Sequence, residues 1–159
     1  MWTILLSIPL AIVMVCSTGC QRKHVPTVDQ AGSVRLPPEG DYLITAMEVD
    51  GVQQPAKSFT PASETSRTVT LVGDKLRNTF GQPDDVLRLQ WDTTKNPGHV
   101  TIQAKGPTGQ IETNYGIFNY EDDTLTLCFG QGNAGEQSRP REFKTDPGSR
   151  ATLMMLKKR

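Results

Sequence analysis

Histidine is nearly missing from this chain: only His24 and His99 occur in 159 residues. They stand far apart, with no cysteine pair at ligand spacing, so no zinc motif is legible and no metal or cofactor is expected. There is no Gly-x-Ser-x-Gly and no glycine-rich loop ending in Lys-Ser/Thr, so nucleophilic and phosphate-cradling motifs are absent too. An excess of one charge is lacking as well. Lys+Arg and Asp+Glu both number 17, which argues against nucleic acid, whose binders carry a basic surplus to neutralise phosphates. The acidic clusters Asp84-Asp85 and Glu121-Asp122-Asp123 do not alternate oxygen ligands around a central glycine. They read as solvated turns rather than calcium loops.

Long apolar runs are scarce. The one that exists, residues 4–15 (ILLSIPLAIVMV), has no charge and contains Pro9. As a helix it would rise only ~18 Å, short of the ~30 Å hydrocarbon core. Its length suits the hydrophobic region of a signal peptide. Directly after it comes CSTGCQRK (16–23). Ser17-Thr18-Gly19-Cys20 resembles a bacterial lipobox, with Ser17 where Leu, Val or Ile is usual. In that motif small side chains admit the peptidase, and the thiol takes a diacylglycerol group before becoming the new N-terminus. The resemblance implies removal of residues 1–19 and lipidation of Cys20. Plain secretion as a soluble or periplasmic protein, and an uncleaved anchor, are the alternatives.

Cysteine is scarce, and processing would make it scarcer. Of three cysteines, Cys16 leaves with the signal and Cys20 is modified. Cys128 then has no partner, so the fold must stand without a disulfide; the bland reading of Cys128 is a small buried hydrophobe. Residues 20–38 carry no period of 2 or 3.6 and read as a flexible tether with a polar start, Gln21 to His24.

What is present beyond residue 39 is alternation. Residues 41–49, 67–72, 75–80, 86–91, 99–104, 111–120, 124–129, 141–144 and 151–157 read as strands. Asp50-Gly51, Gly73-Asp74, Lys95 to Gly98 and Glu121 to Asp123 supply the turns between several of them. One apolar face recurs: Leu71, Leu87, Leu89, Trp91, Val100, Ile102, Leu125, Leu127, Phe129 and Leu153 are the inward candidates. Cys128 falls on the other face, as does His99, which reads as a solvated residue at a strand edge. Arg139, Arg141 and Lys144 read either as a small basic patch or as partners for Glu136, Glu142 and Asp146. The GQGNAG run (130–135) reads as a loop. Eight or nine short strands without a convincing helix predict an all-β, antiparallel sandwich or closed barrel.

From about residue 40 to 158 the chain resembles a lipocalin-like domain family best known from planctomycete bacteria. The carrying segments are MEVDGV (47–52), VTLVGDKL (69–76), DTTKNPGHVTI (92–102), GIFNYEDDTLTLCF (116–129), RPREFKTDPGS (139–149) and LMMLKK (153–158). Tyr42 stands where the family usually has tryptophan, and Asp122 where a turn glycine is common. The resemblance implies a roughly eight-stranded lipocalin-like barrel over residues 39–159. It implies no activity, since fold analogy alone supplies none.

Three functional readings follow in order. The first is a monomeric, non-enzymatic binding or interaction module of the bacterial cell envelope, tied by its lipid to a membrane. The second is a carrier of a small apolar ligand in the barrel interior, and the third an envelope enzyme. The mostly large inward residues favour a filled barrel over a carrier. Cys20→Ser is expected to move the protein from the membrane fraction to the soluble fraction with its fold intact. Fractionation and circular dichroism check this, and retention in the membrane fraction refutes the lipobox reading.

Overall fold

The computed structural model describes residues 33–54, 67–77, 86–106, 108–130 and 135–159. The signal segment, Cys20, His24 and Asp84-Asp85 lie outside the described residues. Within them the chain is all-β. Nine strands follow in order: β1 (Gly40–Val49), β2 (Val52–Gln53), β3 (Thr68–Val72), β4 (Lys75–Arg77), β5 (Val86–Asp92), β6 (Gly98–Lys105), β7 (Ile111–Glu121), β8 (Thr124–Gly130) and β9 (Ala151–Lys158). From β3 to β9 each strand pairs antiparallel with its successor, and β1 pairs with both β3 and β9. Eight strands therefore close into a barrel, and β2 is an extra arm on the far end of β1. Of the sandwich and the closed barrel that the alternation predicts, this is the barrel, and it agrees with the roughly eight-stranded lipocalin-like barrel that the resemblance implies.

The turns form where the sequence places them. Asp50 and Gly51 both take positive φ (53° and 78°), and Val49 pairs directly with Val52, as a two-residue hairpin requires. Asp122 and Asp123 do the same without glycine, at φ 48° and 58°. Aspartate tolerates this region better than most residues, and three contacts hold the turn. Tyr120 donates its hydroxyl to Asp123 Oδ1 at 3.1 Å, Lys157 Nζ reaches Asp122 O at 2.5 Å, and Lys158 N donates to Asp123 O at 2.8 Å.

The barrel interior collects the predicted face. Leu71, Leu89, Val100, Ile102, Leu125 and Leu127 are buried in one cluster, with Leu87, Trp91 and Phe129 packed against it. Burying a side chain of this size contributes about 1.5–3 kcal/mol. Leu153 is the exception. It pairs with Cys128 on the outer face, while Met154 and Leu156 enter the core. The run Leu153-Met154-Met155-Leu156 is apolar at every position, so it carries no alternation from which to read the phase. A register shift between Ile44 and Ala46 has a similar effect in β1. Tyr42 and Ile44 point inward before it, and Met47, opposite core residue Met154, points inward after it. One extra residue moves the inward phase by one.

The strand predicted over residues 141–144 does not form. Residues 139–150 run as an irregular strap, interrupted by Pro140, Pro147 and Gly148. The strap follows a single 3-10 turn at Glu136–Ser138. The last residues of the predicted tether are also not free. Residues 33–39 cross one end of the barrel. Val34 N donates to Thr93 O at 3.1 Å, and the Val34 side chain packs on the core. Tyr42 donates its hydroxyl to Pro38 O at 2.6 Å, and Lys158 Nζ bonds Glu39 O at 2.7 Å while lying 5.2 Å from the Tyr42 ring centroid. Burial, then the neighbouring Tyr120, pushes the Tyr42 phenol above its ordinary range, which keeps it a neutral donor.

This closed end is filled tightly. Trp91 and Phe118 meet edge to face with centroids 4.6 Å apart, a geometry favoured by ring quadrupoles. Gly98 faces the same ring: a Cβ there would stand under 3.0 Å from Phe118. Gly98→Ala is therefore expected to cost about 1–3 kcal/mol by overpacking. The added Phe118→Leu change should recover part of that loss. Urea unfolding of the single and double variants checks the coupling.

Candidate functional site

Strand pairing places five outward residues in one row across the barrel wall. His99 of β6 pairs with Ile117 of β7, Ile117 with Cys128 of β8, Cys128 with Leu153 of β9, and Leu153 with Glu48 of β1. An outward row of a small barrel normally meets water. Here Ile117 and Cys128 are 1% and 0% exposed, because the strap crosses over them.

The strap is pinned at three points along the row. At the β6–β7 side, Arg139 Nη1 donates to Val100 O at 3.0 Å and to Gly116 O. In the middle, Cys128 Sγ lies 3.6 Å from Lys144 O as a weak donor. At the β1 side, Thr145 Oγ1 donates to Glu48 Oε1 and accepts from Gly51 N at 3.0 Å. Thr145 is itself buried, so both partners matter to it. Arg150 N then donates to Asp50 Oδ1 at 2.9 Å and leads the chain into β9.

Arg139 is a charge held by several contacts at once. Its side chain is 10% exposed. The guanidinium carbon lies 5.4 Å from the Tyr115 ring centroid, a cation–π distance. Nη2 meets Glu136 Oε1 at 3.3 Å. Nε is buried and has no hydrogen-bond partner among the described residues. Beside it opens a cleft of about 400 Å³ on the outer wall, bounded by His99, Ile117, Glu136, Arg139, Pro140 and Arg141 among others. That volume lies within the range of small-molecule sites.

His99 is part-buried in this cleft rather than a freely solvated strand-edge residue. Burial, followed by the Arg139 charge, pulls its pKa below the usual imidazole value, so it stands neutral at pH 7. The two readings of the basic residues are also separated. Arg139 pairs with Glu136, and Lys144 with Asp146 at 2.8 Å. Lys144 is exposed to water there, and its hydrogen bond to Asp146 raises its pKa.

Sequence reasoning places Cys128 and His99 on the outer face but misses the cover. The signal was available in two triplets, Gly116-Ile117-Phe118 and Leu127-Cys128-Phe129. Each keeps an apolar residue on the phase where alternation calls for a polar one, which means both faces are dry. Two further grooves of about 410 and 220 Å³ lie along the outward residues of β5 and β6, including Arg88 and Gln103. No family model matches the chain, and no match is found among curated proteins or solved structures.

Burial pushes the Cys128 thiol up from 9.0 to about 11. At pH 8 only about one thiol in a thousand is then ionised. Slow alkylation of Cys128 by iodoacetamide is expected in the native chain. Arg139→Ala removes hydrogen bonds from a charged donor, worth about 1.5–3 kcal/mol. It should speed labelling at Cys128 by roughly 10- to 100-fold, read by mass spectrometry of that peptide. An unchanged rate would mean that Arg139 does not hold the strap down.

Proposed function

We propose that this chain is a non-enzymatic binding or interaction module of the bacterial cell envelope, related to the lipocalin-like domains of planctomycetes and tied to a membrane through lipidated Cys20. The β-barrel fold itself is compatible with a lipocalin-like ligand-binding domain. The observation that carries the reading is the filled closed end of that barrel. Tyr42, Leu76, Phe118, Leu125 and Leu156 are each fully buried there, and Trp91 wedges against Phe118. Small barrels filled by their own side chains present surfaces rather than cavities. The features that remain for recognition are then the outer wall, its strap and its clefts.

Carriage of a small apolar ligand is the second reading, and one observation favours it. Toward the opposite end, the inward-facing Met47, Leu87 and Phe129 are only partly buried. They form a partly exposed apolar lining on which a small apolar guest would rest.

Native mass spectrometry of the full chain, extracted in detergent, separates these readings. The expected polypeptide begins at Cys20, carries a covalent diacylglyceryl group and holds no other lipid. A non-covalent lipid that leaves on collisional activation would establish the carrier instead. An unprocessed N-terminus at Met1 would overturn the tether.

A further inference from the structure

The outer cleft beside Arg139 holds a charged group that has acceptors for three of its five donors. A guanidinium has five N–H donors in a rigid fork. Both Nη1 protons of Arg139 face backbone carbonyls, those of Val100 and Gly116. The opposite edge, formed by Nε–H and the Nη2–H parallel to it, matches the two oxygens of a carboxylate. On that edge Nη2 has one oxygen of Glu136 at 3.3 Å, and Nε is buried with no partner among the described residues, so this edge is reached only when a side chain covering it moves aside. The Glu136 side chain is 72% exposed. It is therefore a loosely held, single-pronged carboxylate, the side chain most easily displaced from Arg139.

We infer that the cleft is a binding site for a small organic carboxylate, which displaces Glu136 and takes the Nε/Nη2 edge of Arg139 with both oxygens. The wall composition sets the rest of the ligand. Pro97 and Pro140 give apolar patches between polar walls, so the body of the acid is small, with at most one apolar face, and compact enough for about 400 Å³. Arg141 and neutral His99 line the same cleft, adding a positive charge and one imidazole donor. A buried cation with an unmade hydrogen bond is costly to leave so, and a bidentate acid removes that cost. The site lies outside the barrel. It depends neither on what the interior holds nor on the anchor at Cys20.

The experiment is a titration of the ¹⁵N-labelled full chain with sodium benzoate at 0.15 M salt, a condition that screens unspecific attraction. The readout is the Nε–H resonance of Arg139. Benzoate is expected to shift it saturably, and benzyl alcohol, neutral and similar in shape, is expected to leave it in place. Glu136→Gln removes the competing carboxylate from an exposed position and should tighten benzoate by up to about fivefold. Arg139→Lys, which lacks the fork, should lose the binding. Because that variant also loosens the strap, Glu136→Gln is the deciding one. An unmoved resonance at saturating benzoate, or no tightening in Glu136→Gln, overturns the site. Inorganic phosphate binding as well as benzoate overturns the assignment to organic acids.

Discussion

The antiparallel pairing of β1 with β9 is the contact on which the other features rest. It runs from Tyr42 opposite Lys158 to Val49 opposite Thr152, and it joins segments more than a hundred residues apart. The entropy of closing so long a loop grows only slowly with its length, whereas an open sheet would leave two unpaired edges. Once the ring is closed, the inward faces of eight strands share a single interior. The register shift at Ile44/Ala46 sits within this seam and keeps β1 in phase with β9 on both sides of it.

Closure also explains the two covers that lie outside the barrel. Residues 33–39 cap one end because β1 begins there beside the last residues of β9, so Lys158 can hold Glu39 and Tyr42 can hold Pro38. The strap between β8 and β9 has no gap to bridge, since those strands are already neighbours. Its length is instead used to travel over β6 and β7 and back to β1. There it buries Ile117 and Cys128 and leaves a cleft around Arg139. The chain thus has a main core inside the ring and a second, thinner apolar layer outside it. A barrel packed at one end and layered on one wall has more surface than interior volume, which is the physical basis of the proposal that recognition uses the outside.

The all-β antiparallel fold was legible in the sequence because alternation, turn chemistry and strand spacing agree with one another, while the choice of barrel over sandwich came from the family resemblance alone. Leu87-Arg88-Leu89-Gln90-Trp91 is apolar only at every second position, so its inward face was fixed before any pairing was known. Asp50-Gly51 and Asp122-Asp123 fixed hairpins because few residues enter the left-handed region easily. The phase of β9 was not legible, since four consecutive apolar residues satisfy either register. Nor was the strap: residues 141–144 read as a strand, but no neighbour is left to pair with it once β8 has found β9.

The candidate site belongs wholly to this second group. Arg139 is a surface charge by every local criterion, between a serine and a proline in a polar stretch. It becomes a nine-tenths buried donor only because the strap lays it over two carbonyls, of Val100 and Gly116, distant in the chain. Local sequence determined the strands, turns and inward face, because these depend on neighbours one to four residues apart. The closing seam, the buried outer row and the unpartnered Nε of Arg139 were decided by tertiary structure, because each depends on neighbours that only the closed barrel brings together.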